Sequence, residues 1–415
     1  MGGNIGCPGH FGQCETAELN TSRDGHLEAI WDNGSGTSGF CRKCAQKHVE
    51  GQKEEVKRDA NPGFPWCLLG STNGQLLDNH WETIVDAVLD RLERIRRHGN
   101  SIFGMTGAQL VSHGLRDPVR LFVKDEPHKL SKLDSGMLRL ISNESLVDQL
   151  VTRILSYRQN KMEIANWTTC PSKPGISLDD DGLYEMGGHF QRALEHGPLE
   201  ASDIKAWDWS VQEWELMADA DRRAVLADSK DMYFHFLLRV QAHGVNNAVY
   251  VLPDGRLLEG DMVGIQNSGS FNTSSTNSAM RLMVDVRAKL ELGLPRQVIL
   301  QGLEDSSVMG DDSVLPSVTG VTQKVEEFGH SVKETAIFTR LHGVSFCSHT
   351  WVSRGVALPE NKWKTLYRFF SHPPTSGQYP DWFAQLLYEM RNDTEGGLWI
   401  PVAMSRVVRA LQTFA

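Results

Sequence analysis

The sequence predicts an α+β fold, in which a small antiparallel sheet is backed by helices. Two observations carry this prediction. In the central third of the chain, the expected elements follow one another as strand, helix, helix, hairpin, helix and strand. Within that third, the turn Gly310-Asp311-Asp312 separates two short apolar segments of strand length. Strands that return through tight turns favour antiparallel pairing, and the intervening helical patterns supply the second layer.

The elements before the central third are mainly helical. Asn61-Pro-Gly-Phe-Pro65 is a rigid turn that opens the packed region. Apolar residues at helical spacing predict a helix over residues 81 to 97 and another over residues 145 to 157. Val119 to Val123 is a short strand between them.

The elements from residue 201 onward alternate between strands and helices. Pro253-Asp-Gly255 is a typical hairpin turn. The expected strands are 201–206, 249–252, 256–258, two within 308–315, 332–338 and a hairpin over 345–358. The expected helices start near Ser210, run from about 268 to 292, cover 322–328 and fill most of the remainder.

Composition limits the class of protein. The chain has 415 residues, of which 40% are apolar, enough for two or three domains or one large enzyme. It has no run of about 18 apolar residues, so we expect no membrane span. Seven cysteines without a secretion signal favour a reducing compartment. The net charge of −10 is unusual for a nucleic-acid binder, unless the basic residues line an internal channel.

Three separated segments carry the most informative chemistry: residues 203–208, 268–277 and 310–312. The first and third offer the carboxylates Asp203, Asp208, Asp311 and Asp312. Carboxylate oxygens suit hard cations such as Mg²⁺. Two such ions can activate an attacking hydroxyl and stabilise a leaving pyrophosphate. The set therefore predicts a template-directed RNA polymerase that uses two Mg²⁺ or Mn²⁺ ions.

The second segment offers a bendable Ser268-Gly269 turn followed by hydroxyl and amide groups. Thr273 and Asn277 are four residues apart and share one face of a helix, where both can hydrogen-bond a sugar hydroxyl or Asp208. Each segment alone also has an ordinary explanation: helix and strand caps, a polar loop, or a solvated turn. Their order, spacing and structural context together favour the catalytic interpretation.

Basic residues outside these segments have two interpretations each. Lys124 and Arg139 can clamp triphosphate oxygens, or can belong to a solvated charged hairpin. Lys333 can protonate the departing pyrophosphate, or can be an ordinary surface lysine.

The N-terminal 60 residues are rich in Gly, Ser and charge, and predict a flexible arm or a small separate module. Cys7, His10, Cys41 and Cys44 are spaced as two pairs that could hold Zn²⁺. Disorder or a fold without metal are the alternatives.

With these residues assembled, the chain resembles the RNA-dependent RNA polymerases of positive-strand RNA viruses, and most closely those of the sobemovirus and polerovirus group. The resemblance covers roughly residues 61 to 365. The residues that carry it are Asn61-Pro-Gly-Phe-Pro65 with Leu68-Leu-Gly-Ser-Thr-Asn73, Phe122-Val-Lys-Asp-Glu-Pro-His128, Arg139-Leu-Ile-Ser142 with Leu146-Val-Asp-Gln-Leu150, Asp203 with Trp207-Asp-Trp-Ser-Val211, Gln266-Asn-Ser-Gly269 through Asn277, Met309-Gly-Asp-Asp312, and Phe346-Cys-Ser-His349.

The resemblance implies a right-hand architecture of fingers, palm and helical thumb. Under it, residues 61–200 form the fingers, 201–350 the palm with a fingers insertion at about 212–262, and 351–415 a short thumb. Residues 1–60 match nothing that we can place in the family.

The resemblance also implies a role for each site residue. Asp203 and Asp311 would be the principal metal ligands, with Asp312 beside them. The remaining roles are ribose recognition by Asp208, Thr273 and Asn277, triphosphate binding by Lys124 and Arg139, general acid catalysis by Lys333, and contact with the primer end by Phe346, Cys347 and Ser348.

The implied partners are an RNA template, nascent RNA and NTPs, with a small genome-linked protein as primer. The implied location is the host cytoplasm, in replication complexes that reach membranes through other proteins. Two rival functions stay open: a polymerase that uses deoxynucleotides, such as a reverse transcriptase, and a polymerase-shaped RNA-binding subunit without catalysis.

Overall fold

The computed structural model describes residues 42–124, 126, 130–228, 231–260, 264–371 and 378–393. Helices dominate this part of the chain, and its strands form three small sheets. The helices are α1 (Arg42–Gly51), α2 (Asn73–Asn79), α3 (Trp81–His98), α4 (Gly107–Ser112), α5 (Leu130–Asp134), α6 (Leu146–Ala165), α7 (Asp180–His196), α8 (Trp207–Ser210), α9 (Glu213–Leu226), α10 (Met232–Asn246), α11 (Thr273–Glu291), α12 (Arg296–Glu304), α13 (Val321–Glu327), α14 (Lys362–Ser371) and α15 (Tyr379–Glu389). The strands are β1 (Val119–Val123), β2 (Leu140–Asn143), β3 (Leu199–Ile204), β4 (Val249–Val251), β5 (Leu257–Glu259), β6 (Ser307–Met309), β7 (Asp312–Pro316), β8 (Val332–Phe338), β9 (Ser345–Phe346), β10 (His349–Ser353) and β11 (Val356–Pro359). The mixed α+β class is therefore confirmed.

The largest core lies between the N-terminal helices and the helices that follow β3. In α3, Ile84, Val88 and Leu92 recur at helical spacing and are fully buried. Helix α6 begins where Ser145 caps it, because the serine hydroxyl accepts a hydrogen bond from the backbone N–H of Asp148. The predicted helix over residues 145 to 157 is present and continues eight residues further.

Helix α1 corrects the boundary that we expected at residue 60. Ala45 and Val49 are fully buried in the main core, and Val56 joins them there. Arg42 pairs with Asp86 on α3 at 2.9 Å between Nη2 and Oδ1. Residues 42 to 60 therefore pack with the rest of the chain instead of forming a separate arm. Their two buried alanine and valine positions make too short an apolar stripe to predict this from sequence.

The candidate zinc ligands cannot be compared with this structure. Cys7, His10 and Cys41 lie outside the described residues, and so does the side chain of Cys44. The zinc site stays a prediction from spacing.

The central sheet has the strand order β6-β7-β3-β8, and its strands pair antiparallel. The hairpin β6–β7 turns at Gly310 and Asp311, with Met309 opposite Asp312. Helix α11 contacts β6 across this sheet, and twelve of its residues are buried, from Ser275 to Lys289. The predicted strand pair around the Gly-Asp-Asp turn and the predicted helix after Ser268 are both confirmed.

Two smaller sheets complete the strands that the structure describes. One has the order β2-β1-β4-β5 and contains the predicted hairpin at Pro253-Asp-Gly255. The other has the order β11-β10-β9. We expected a simple hairpin over residues 345 to 358, and the structure has three strands there instead. The reason is a second tight turn at Cys347 and Ser348, both with positive φ, which returns the chain after only two residues of β9.

None of the helices in the described part of the chain has both the length and the apolar character needed to cross a lipid bilayer.

Candidate active site

The register of the central sheet brings two of the predicted acidic residues to the same end of adjacent strands. Ala201 in β3 lies opposite Val314 in β7, so two residues further along the antiparallel pair Asp203 lies level with Asp312. The hydroxyls of their neighbours Ser202 and Ser313 are 3.4 Å apart, which agrees with this register. Although Asp203 and Asp312 are far apart in sequence, they therefore lie on adjacent strands.

Asp311 lies in the turn that connects β6 with β7. The residue before it, Gly310, has φ of 67°, in the left-handed region that glycine enters without steric cost. The turn therefore needs glycine at this position. The carboxyl groups of Asp311 and Asp312 consequently sit at the same end of the sheet as Asp203.

The acidic residues act on each other electrostatically. Loss of surrounding water, and then the neighbouring charges of Asp311, Glu360 and Asp203, together raise the pKa of Asp312 to about 6. The same two effects, loss of water and the charge of Asp311, raise the pKa of Asp208. Mutual repulsion of this kind means that a bound cation would stabilise the ionised carboxylates.

Lys333 on β8 already supplies one positive charge. Its Nζ lies 2.6 Å from Oδ2 of Asp203, and this hydrogen bond raises the pKa of the lysine. Within the described ranges, no three His, Cys, Asp or Glu side chains are already gathered around one point as ligands of a single ion. Asp203 faces Lys333 in this arrangement. The donors are nevertheless of the right kind for hard cations, since they are carboxylate oxygens.

The turn before α11 is fixed against β2. The Ser268 hydroxyl accepts from the backbone N–H of Ser142 at 3.1 Å, and the N–H of Gly269 donates to the Ser142 carbonyl at 2.8 Å. A Cβ atom at position 269 would lie only 2.5 Å from that carbonyl oxygen. Glycine is therefore required by close backbone approach, and the Ser268 hydroxyl serves the turn.

Asn277 and Asp208 meet as the sequence predicts. Nδ2 of Asn277 donates to Oδ1 of Asp208 at 2.9 Å. The asparagine is only 5% exposed, and its Oδ1 has no hydrogen-bond partner among the described residues. A buried acceptor without a partner costs free energy unless a ligand or water supplies a donor.

Thr273 does not share this arrangement. Its hydroxyl lies within hydrogen-bond distance of the carbonyls of Asn267, Ser268 and Ser270, at 2.8 to 3.2 Å. The single hydroxyl proton is therefore used to hold the turn that precedes α11, and the side chain keeps only acceptor lone pairs for any other contact.

The two predicted triphosphate ligands lie at the ends of neighbouring strands, Lys124 directly after β1 and Arg139 directly before β2. The backbone N–H of Lys124 donates to the carbonyl of Arg139 at 2.8 Å, and both side chains reach the carboxylate of Glu126. The charge of Arg139 also acts on Asp208 and lowers its pKa. Arg139 is 61% exposed, so its guanidinium can reach an anionic ligand.

The predicted primer-side segment divides into two parts. Phe346 is only 2% exposed and packs edge-on against Phe190, with ring centroids 6.0 Å apart. Its ring therefore packs in the core, and its contact with the primer end stays a prediction from the resemblance. Cys347 and Ser348 form the tight turn. Burial raises the pKa of the Cys347 thiol, and the charges of Asp312 and Asp311 raise it further, so this turn lies beside the acidic edge.

Sequence reasoning missed several residues around the site. Glu360 acts on Asp312 electrostatically, although it lies far away in sequence. His330 stacks on Trp207 at 4.9 Å and bonds both Ser210 and Glu215, which connects the segment after Asp208 with the loop before Lys333. The Gly-His pair before Lys333 was the only available signal for His330.

The sequence of this chain matches a family of known proteins. The sequence profile of the family described as viral RNA-directed RNA-polymerase matches residues 45–185 and 188–361. The match begins before residue 61, which extends the resemblance into the segment where we could place no family likeness.

The relatives differ in length. The RNA-directed RNA polymerase of Mushroom bacilliform virus is 42% identical over 358 residues, which cover 86% of this chain and 84% of that protein. Replicase polyprotein P2AB of Southern cowpea mosaic virus is 37% identical over 81% of this chain, and protein P1-P2 of Potato leafroll virus is 32% identical over 84% of it. The matched regions make up 34% and 33% of those two proteins, so the chain spans about a third of their length. With these matches, the chain belongs to the viral RNA-directed RNA polymerase family.

Proposed function

We propose that this chain copies an RNA template by joining NTPs to the 3′-hydroxyl of a growing RNA strand, with release of pyrophosphate. The observation that carries the proposal is the meeting of four carboxylates and one amide from three distant segments. Asp203, Asp311 and Asp312 lie at one end of the central sheet. Asp208, which is hydrogen-bonded to Asn277, lies close enough for the charge of Asp311 to raise its pKa. A cluster of like charges costs free energy unless a ligand neutralises it.

In this proposal Asp203, Asp311 and Asp312 hold two Mg²⁺ or Mn²⁺ ions. When bound, such ions lower the pKa of an attacking hydroxyl and neutralise charge on a departing phosphate. The protein contributes a fixed separation between β3 and the β6–β7 turn. Repulsion among the carboxylates, seen in the raised pKa of Asp312, favours ion binding.

Asn277 and Asp208 would recognise the ribose of the incoming nucleotide. Asn277 donates its amide hydrogen to Asp208 and keeps an unpaired, buried Oδ1. A ribose 2′-hydroxyl would donate to that oxygen, whereas a deoxyribose would leave it unpaired. This arrangement favours ribonucleotides over deoxyribonucleotides.

Lys124 and Arg139 would hold the triphosphate, since an anionic ligand can replace their shared partner Glu126. Lys333 would give a proton to the pyrophosphate as it leaves. Its bond to Asp203 raises its pKa, so the amine is protonated at neutral pH. The general acid is thus ready before a nucleotide arrives.

The right-hand layout is also part of the proposal. The central sheet with α11 would be the palm, and the helices and β1–β2 strands before it would be the fingers. Residues 42 to 60 would join the fingers, because α1 packs on α3. Residues 351 to 415 would be the thumb, and the Cys347-Ser348 turn would lie on the primer side. Priming by a genome-linked protein and the location in host replication complexes stay predictions from the resemblance.

The decisive experiment is RNA-primed NTP incorporation by the Asp311→Ala variant with Mg²⁺. We expect incorporation to be abolished while the melting temperature stays close to that of the wild type, because Asp311 is in an exposed turn. Asp254→Ala is the matched control, since Asp254 is in the exposed turn between β4 and β5. Wild-type synthesis by Asp311→Ala would refute the proposal. A preference of the wild type for dNTPs would favour a reverse transcriptase, and RNA binding without turnover would favour a non-catalytic subunit.

A further inference from the structure

Within five residues, helix α11 contacts both segments that carry the carboxylates of the site, through three separate hydrogen bonds. Asn277 of α11 bonds Asp208, as described above. Its neighbour Ser278 accepts a hydrogen bond from the backbone N–H of Gly310 at 2.8 Å. Arg281, one turn further on, donates from Nη2 to the hydroxyl of Ser202, which directly precedes Asp203.

The contact of Ser278 fixes the turn that carries Asp311. The serine is fully buried, and its hydroxyl donates to the carbonyl of Ser274 at 2.7 Å. Its proton is thereby used within the helix, so the oxygen is left to accept from Gly310. This bond ties the backbone of the β6–β7 turn to α11 at the residue immediately before the carboxylates.

The contact of Arg281 fixes the strand that carries Asp203. Its hydrogen bond to Ser202 continues to Ser313, because the two serine hydroxyls are 3.4 Å apart. Ser313 directly follows Asp312 in β7. The chain from Arg281 through Ser202 to Ser313 therefore spans β3 and β7 one residue away from both Asp203 and Asp312.

The burial of the charged Arg281 side chain costs free energy. Arg281 is 3% exposed and burial lowers its pKa, whereas the charges of Asp285, Glu200 and Glu215 act in the opposite direction. Its Nε and Nη1 have no hydrogen-bond partners among the described residues, which is costly for a buried guanidinium. The nearby acids therefore offset part of the cost of burial, and the hydrogen bond from Nη2 to Ser202 is the contact that connects Arg281 with the strand bearing Asp203.

We propose that Ser278 and Arg281 are positioning residues that set the separation of Asp203 from the Asp311-Asp312 turn, so that α11 aligns metal binding with ribose recognition. The inference rests on the proposed function. Residues behind metal ligands act by orienting them, and their loss typically lowers metal affinity or activity.

The test compares Ser278→Ala and Arg281→Met with the wild type. The matched control is Ser306→Ala, because Ser306 is also fully buried and its hydroxyl donates to a carbonyl of its own helix end, that of Gly302 at 2.6 Å. Mn²⁺ binding without nucleotide is measured by calorimetric titration, and melting temperature is measured alongside it. Incorporation kinetics then give kcat and KM for NTP over a range of Mg²⁺ concentrations.

We expect both test variants to bind Mn²⁺ roughly 10- to 100-fold more weakly and to lose kcat in similar proportion. KM for NTP should stay unchanged, because Arg139 and Asn277 are retained. The melting temperature of Arg281→Met is measured as well, because this variant loses both the cost of burying a charge and the attraction of that charge to Asp285, Glu200 and Glu215. The control should match the wild type in Mn²⁺ affinity.

Unchanged Mn²⁺ affinity and kcat in correctly folded variants would overturn the inference, as would an activity loss that only follows a fall in melting temperature. If Arg281→Met does not fold, Ser202→Ala removes the same hydrogen bond from the other side, and it must weaken Mn²⁺ binding. A wild type that binds Mn²⁺ but incorporates no nucleotide would refute the proposed function, while the Mn²⁺ titrations would still test the positioning role.

Discussion

Replacing Asn277 with alanine tests the ribose-recognition site directly. In the wild type, the buried Oδ1 of Asn277 has no partner among the described residues, and its Nδ2 bonds Asp208 at 2.9 Å. A ribonucleotide would satisfy this oxygen, whereas a deoxyribonucleotide would leave it buried and unpaired. The variant removes the oxygen, and with it the reason to reject the deoxyribonucleotide.

The size of the effect follows from the cost of an unsatisfied buried acceptor, about 1 to 3 kcal/mol. This range corresponds to a loss of roughly 5- to 150-fold in discrimination, since 1.4 kcal/mol is about a factor of ten. Discrimination is measured as the ratio of kcat/KM for CTP to that for dCTP, on the same primed RNA template.

The control is Asn73→Ala. Asn73 is 2% exposed, donates from Nδ2 to the Lys57 carbonyl, and also has an unpaired Oδ1, but it lies in α2. The reasoning would be refuted if Asn277→Ala kept the wild-type ratio of CTP to dCTP while both substrates were used more slowly. That result would mean that Asn277 only holds Asp208 in place.

Two further predictions concern single titratable groups. Lys333→Met should bind Mn²⁺ more tightly without nucleotide, because the ammonium that bonds Asp203 at 2.6 Å in the wild type no longer competes for the carboxylate. Its single-turnover rate of incorporation should nevertheless fall, because the general acid is lost. Weaker Mn²⁺ binding would contradict this prediction. Burial, then the charges of Lys173 and Arg192, lower the pKa of His189 to about 4. The unfolded value is about 6.5, so the folded state favours the neutral ring, and its stability should fall by at most about 3 kcal/mol as the pH drops from 6.5 towards 4. The unfolding free energy of His189→Asn, measured in urea, should therefore vary less with pH over that range than that of the wild type, and an unchanged pH dependence would contradict this.

Sequence patterns predicted the individual helices and strands better than the contacts between them. The strand Val332–Phe338 was predicted with its observed bounds, and the hairpin of β4 and β5 was predicted from its turn signal. The extension of helix α6 to Ala165 was missed because residues 159 to 163 are mostly polar and give no apolar periodicity. Three of them, Gln159, Asn160 and Glu163, instead make hydrogen bonds to Arg223, Asn272 and Ser275.

The candidate site shows the same limit. The sequence indicated that Asp203, Asp208, Asn277 and the Asp311-Asp312 pair belong together, and their order along the chain was enough to suggest this. It could not show that Ser278 bonds the backbone of Gly310 or that Arg281 bonds the side chain of Ser202. The position of a polar residue on a buried helix does not indicate which distant residue it will contact. The burial of the Phe346 ring was missed for a related reason, since a motif does not say which way a ring points.

The close approach of Gly269 to Ser142 has a mechanical consequence. A Cβ atom at position 269 would lie less than 3 Å from the Ser142 carbonyl, so the turn before α11 and strand β2 cannot slide past each other without breaking two hydrogen bonds, one between backbone groups and one to the Ser268 hydroxyl. Arg139 lies next to the start of that strand, and Asn277 lies one helical turn after Thr273, where α11 begins. In the proposed function, Arg139 binds the triphosphate and Asn277 recognises the ribose, and these hydrogen bonds fix the two segments that carry them. The spacing between the two residues would therefore be set by the backbone and would be the same for all four bases.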